Sequence, residues 1–186
     1  MFKINMVGGV IIVVRTSKKA KYSIGYSSGV VIYIVKPELE TRHQISNFLE
    51  IVFHELVHVE QFRRKSLWGF FRTRLDIEIR VYEELEAYLL TAKRILLNDK
   101  YMLEFIKIID PRFNYLTEPF NDYYKYNLLA PTSSVQNSLE HIECATGYEI
   151  NMLDLLTSFE VTLDALILNP NLDIYPEIEF MLEVGI

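Results

Sequence analysis

Residues 54–58 read His54-Glu55-Leu56-Val57-His58. On an α-helix, positions i and i+4 lie one turn apart on one face. Both imidazoles can therefore address one ion. Neutral imidazole is a good zinc ligand, and two ligands on one rigid helix are presented with little ordering cost. Glu55 stands beside them but offset in direction, where a general base must be to reach a water on such an ion. With 4 histidines in 186 residues, chance produces this five-residue pattern in roughly one shuffled sequence in 150. The residues between the histidines are apolar, and Ile51, Val52 and Val59 extend the uncharged surroundings. Glu60 departs from the stringent form of the pattern, which has an apolar residue there.

The element that carries these residues must be a helix. Ile45, Phe48, Leu49, Val52, Leu56 and Val59 recur at spacings of three and four, which predicts a helix over residues 44–65. With His54 set at 0°, His58 falls near 40°, while Ile45, Leu49, Val52, Leu56 and Val59 fall between about 140° and 220°. The histidines thus face away from the main apolar stripe. Ahead of this helix the chain reads as β structure. Residues 10–15 and 30–35 are rich in β-branched side chains, and residues 22–26 alternate. Residues 16–21 form a lysine-rich turn, Ser27-Ser28-Gly29 a break, and Pro37 the end of the last strand. A second long helix is predicted over residues 74–98. Helical patterns return at 138–144 and 149–168, and a short helix follows Pro176. Strands followed by helices predict an α+β fold, with a small antiparallel sheet over residues 10–35 packed on the 44–65 helix. We read residues 1–186 as one domain: 1–42 rich in β structure, 43–98 carrying the metal-binding helices, and 99–186 helical and acidic.

Two histidines do not complete a catalytic zinc site, which takes three protein ligands and an open position. The next helix offers Tyr82-Glu83-Glu84-Leu85-Glu86-Ala87-Tyr88. Glu83 and Glu86 are three apart and share a face, so either can reach the ion. Glu84 points roughly 100° away from Glu83 and is disfavoured on that ground.

These motifs resemble the gluzincin branch of the zincin metallopeptidases. There a His-Glu-x-x-His helix is followed, some twenty to thirty residues on, by a glutamate in a second helix, often directly before alanine or glycine. Glu86-Ala87 matches that local pattern, 28 residues after His58. A related short form, Glu-x-Glu-Ala, occurs in small bacterial and phage zincin domains, and Glu84-Leu85-Glu86-Ala87 follows it. The resemblance covers residues 51–88. It implies a zinc ion held by His54, His58 and Glu86, with Glu83 as the second choice or an outer partner. It also implies Glu55 as the catalytic base and peptide-bond hydrolysis as the reaction. Zinc lowers the pKa of its water towards neutrality and polarises the scissile carbonyl, and Glu55 takes the water proton and passes it to the leaving amine. Tyr82, Tyr88 and His141 are the candidates for stabilising the oxyanion. The family implies further that an edge strand binds extended substrate by backbone pairing, with residues 22–26 and 30–35 as the candidates.

Composition sets the remaining bounds. Half of the residues are hydrophobic and 13% are aromatic, which excludes a disordered chain. The one cysteine, Cys144, excludes a disulfide framework and suits a reducing, cytoplasmic compartment. It lies three residues from His141, a lone pair too weak to define a metal site. No apolar run reaches the ~20 residues that span a bilayer. Residues 7–14 are short, contain Gly8 and Gly9 and lack a small-residue cleavage site, so they read as a strand rather than a signal peptide. The net charge is −6, unevenly spread: residues 1–98 hold 15 Lys and Arg against 10 Asp and Glu, and residues 99–186 hold 4 against 15. An acidic balance disfavours nucleic acid as the partner and leaves a protein or peptide substrate. The stretch 63–72 mixes cations with Trp68, Phe70 and Phe71, which fits a connection that packs its aromatics, or a loop that grips substrate or a membrane surface. The alternative to a peptidase is a catalytically idle zincin scaffold that acts as a binding or regulatory protein, of the kind that phages and mobile elements encode. Its acidic half would then be the partner surface.

Overall fold

The β-branched runs become strands and the three-four periodicities become helices. A computed structural model describes residues 2–7, 9–16, 24–36, 42–65, 76–97 and 129–186. The strands are β1 (Phe2–Val7), β2 (Val10–Thr16), β3 (Ile24–Ser28) and β4 (Val31–Lys36). The helices are α1 (Arg42–Arg64), α2 (Ile77–Leu96), α3 (Leu129–Thr146), α4 (Met152–Leu168) and α5 (Tyr175–Gly185). The fold is α+β. The described residues fall into two compact units, one running to Arg64 and the other from Lys65 onward. Residues 17–21 of the lysine-rich turn, residues 66–72 with Trp68, and the stretch 98–128 lie outside the described residues.

In the first unit the strand order is β1-β2-β4-β3. β1 and β2 pair antiparallel, with Val7 opposite Val10 and Gly9 at φ 77° in the turn. β3 and β4 form a second hairpin, Ser28 opposite Val31, around Gly29 at φ 60°. Positive φ is open to glycine without a steric penalty, which is why two-residue hairpin turns select it. β2 and β4 run parallel, with Ile12 opposite Ile32 and Val14 opposite Ile34. The sheet is therefore mixed and not antiparallel as the sequence suggests. The two strands richest in β-branched residues meet at the centre, and the hairpin turn at Gly29 then dictates their relative direction. The more polar β3, with Gly25, Ser27 and Ser28, is left at the edge. β1 is the strand that the sequence reading missed.

Alternation along β2 and β4 buries Val10, Ile12, Val14, Ile32 and Ile34 on one face. Helix α1 packs on β3 and β4 and buries Phe48, Val52, Leu56 and Val59. Phe53 and Val57 are buried as well, so the apolar surface of α1 is wider than the single stripe read from the sequence. A helix apolar over most of its circumference belongs to an interior. Gly25 permits its close approach. A Cβ there would overlap Ile51 Cγ2 and stand 3.4 Å from Glu55 Cγ.

The second unit is helical. α2 starts at Asp76, whose carboxylate accepts the Ile79 N–H at 3.3 Å, a cap that satisfies one orphan donor. It buries Val81, Leu85, Leu89, Ala92 and Ile95 and packs against α3, α4 and α5. α3 ends at Gly147, at φ 73°. Asn151 caps α4, and Pro176 lies in the first turn of α5, where its missing N–H costs nothing. No helix among the described residues is long and apolar enough to cross a membrane.

Candidate metal centre

His54, Glu55 and His58 all lie within α1, as their spacing predicts. Both histidines are half-buried and Glu55 is buried. The two Nε2 atoms are 2.9 Å apart, and the rings meet edge to face with centroids at 4.5 Å. Two nitrogens bound to one tetrahedral zinc at 2.0–2.1 Å stand about 3.3 Å apart, so the pair needs only a small opening to share an ion. On the far side of the ring, His58 Nδ1 lies 2.7 Å from Gln61 Oε1. That nitrogen is the donor, because the amide oxygen can only accept. His58 Nε2 then carries a lone pair and accepts from the Nε2–H of His54.

Gln61 is the residue that sequence reasoning missed. Its side chain is 5% exposed. Three positions after His58, it falls about 60° behind His58 and about 20° behind His54 around the helix axis, so it shares the histidine face. A neutral amide is not a zinc-ligand type, so a search for ligands passes over it.

Glu55 is placed by the sheet. Its Cγ and Oε1 lie 3.4 Å and 3.7 Å from the point where a Cβ on Gly25 would stand. The carboxyl group is thus held against β3, which among the described residues pairs with β4 on one side only. Of the two segments expected to offer an edge, β3 lies at the edge of the sheet among the described residues. β4 is paired on both sides, with β2 and β3, and its backbone is spent on the ladder.

One turn before His54, on the same face, is Glu50. Its Oε1 is buried and takes no hydrogen bond. Burial raises its pKa from 4.5 to about 7, because a low-dielectric surrounding penalises the charged form. The folded protein therefore holds this proton more tightly than the unfolded chain. Its contribution to stability is full below about pH 4.5 and is lost as pH rises through about 7. Glu50→Gln should leave stability unchanged near pH 4 and raise it at pH 8 by at most about 3 kcal/mol. Urea denaturation at the two pH values reads the difference directly, and an equal effect at both would reject the assignment.

The acidic residues of α2 belong to the second unit. Glu83 is ion-paired with Lys65. Glu86, the third ligand implied by the family resemblance, is 3% exposed, and its Oε1 accepts from the Tyr175 hydroxyl at 3.3 Å. Glu84 is half-buried. Among the expected oxyanion residues, Tyr82 is half-buried on α2. The Tyr88 hydroxyl shares a 3.2 Å hydrogen bond with Ser138 Oγ, and its ring meets Phe159 edge to face. His141 and Cys144 are both exposed on α3. Comparison with known protein families, with curated proteins and with solved structures gives no match.

Proposed function

We propose that this protein is a zinc-dependent metallopeptidase in which His54 and His58 hold the ion and Glu55 is the general base. The observation that carries the reading is the convergence of two imidazole Nε2 atoms to 2.9 Å on the helix that also presents Glu55. The family resemblance implies Glu86 of α2 as the third ligand, with Glu83 as the second choice.

Bound zinc supplies Lewis-acid chemistry: it acidifies a water and polarises a carbonyl. The chain's own residues do the rest. Glu55 receives a proton and returns it to the leaving amine. Glu55 lies against β3, which is an edge strand among the described residues and suits an extended peptide held by backbone pairing.

The test is metal analysis of protein purified without chelator, followed by cleavage assays on a peptide library. About one zinc per chain and chelator-sensitive cleavage are expected. Wild-type protein that takes up no zinc would overturn the proposal. Stoichiometric zinc without cleavage would instead favour the scaffold reading. That second reading has an observation of its own: α4 leaves Leu153 and Leu168 76% and 88% exposed, and residues 129–186 contain acidic side chains but no Lys or Arg. Such a face suits a cationic protein partner.

A further inference from the structure

We propose that Gln61 is a positioning residue that sets the tautomer of His58 and so makes its Nε2 available to a metal. The inference deepens the zinc reading, but its first test does not need the metal. A neutral imidazole carries one proton, on Nδ1 or on Nε2, and only the bare nitrogen can bind an ion. Which one is bare depends on the partner of the other. Here that partner is the Gln61 amide oxygen, 2.7 Å from Nδ1. The bond is formed within one helix, at i and i+3, so both groups are carried by the same rigid element. Gln61 is almost fully buried, so little water competes for the Nδ1 proton. The arrangement also fixes the ring plane, which in turn aims Nε2 at the position that His54 Nε2 faces at 2.9 Å.

A glutamine does this differently from a carboxylate. It orients the ring without adding a negative charge beside the two histidines.

The experiment compares the wild type with Gln61→Leu and Gln61→Glu. Leucine removes the acceptor at similar size. Glutamate keeps an acceptor and cannot donate. In metal-free wild type, nitrogen NMR should show His58 protonated at Nδ1. In Gln61→Leu that preference should be lost, and zinc affinity should fall about 10–100-fold. Gln61→Glu should keep the Nδ1-protonated form and restore affinity. A purely packing role would leave the tautomer of His58 unchanged in Gln61→Leu. If wild-type His58 carries its proton on Nε2, the proposal fails whether or not zinc binds. If the wild type binds zinc and Gln61→Leu binds it equally well, the proposal also fails while the metallopeptidase reading stands. Absence of zinc uptake by the wild type would sink the metallopeptidase reading, leaving the NMR result to decide on Gln61. Should Gln61→Leu fail to fold, the glutamate variant still decides: loss of the Nδ1 proton there overturns the proposal.

Discussion

His58→Ala should lose zinc, with affinity falling by more than the ~100-fold that removal of an outer partner can cost. The alanine deletes one of the two nitrogens that converge at 2.9 Å, and the remaining imidazole of His54 holds an ion far more weakly than a chelating pair. The second readout is thermal. A ligand present at 1,000 times its Kd stabilises the folded state by about 4 kcal/mol. For a chain of this length that corresponds to about 8–16 °C in Tm. Wild type should show this zinc-dependent rise and His58→Ala should not. The variant also deprives the buried Gln61 of its His58 partner. A metal-independent loss of about 1–3 kcal/mol is therefore expected as well, and the comparison must be made with and without zinc. His141→Ala, at an exposed position on α3, is the control and should keep both zinc and the thermal shift. Equal zinc stoichiometry and thermal shift in His58→Ala and wild type would remove His58 from the site.

The helix that carries the histidines was legible because periodicity and ligand spacing are both local. One helical turn links Ile45 to Leu49, and one turn links His54 to His58. The breadth of its buried surface was not legible. Phe53 and Val57 lie off the main stripe, and only the packing around α1 buries them. Strand existence was legible for β2 and β4, whose residues are β-branched, but their parallel pairing was not. It follows from a hairpin turn at Gly29 combined with the preference of the two most apolar strands for each other, a choice among long-range partners that no local pattern encodes. Gly25 illustrates the same limit. In the sequence it is one residue of the alternating run 22–26. In the fold its lack of a side chain lets Ile51 and Glu55 lie against β3. The surroundings of the α2 glutamates were the least legible feature. Glu83 and Glu86 are equivalent in local chemistry, and the fold gives them different partners, Lys65 and Tyr175, the latter 89 residues from Glu86.

Glu55→Gln should keep zinc and the fold while turnover falls by at least about 10²–10⁴-fold, the usual contribution of a positioned base. Glu55 is not one of the proposed ligands, so the ion has no reason to leave. Glutamine has the same length and nearly the same volume, so it can occupy the space over Gly25 that the Glu55 side chain fills. What it lacks is the ability to accept a proton and hand it on. The loss should therefore appear in kcat more than in KM, because extended substrate paired along β3 does not depend on that proton. Glu55→Asp tests the geometry separately. It keeps the acid but withdraws it by one methylene from the place that β3 gives it, and it should lie between glutamine and wild type. Measuring zinc content, kcat and KM for all three on one cleavable peptide settles the role. A Glu55→Gln protein as active as the wild type would show that the carboxylate takes no part in the reaction, whereas zinc-loaded protein inert in all three forms would point to the scaffold reading and to the acidic face of α4. Charge reversals at Asp154, Glu160 and Asp164, all exposed on α4, should then weaken a cationic partner's binding and leave zinc occupancy unchanged.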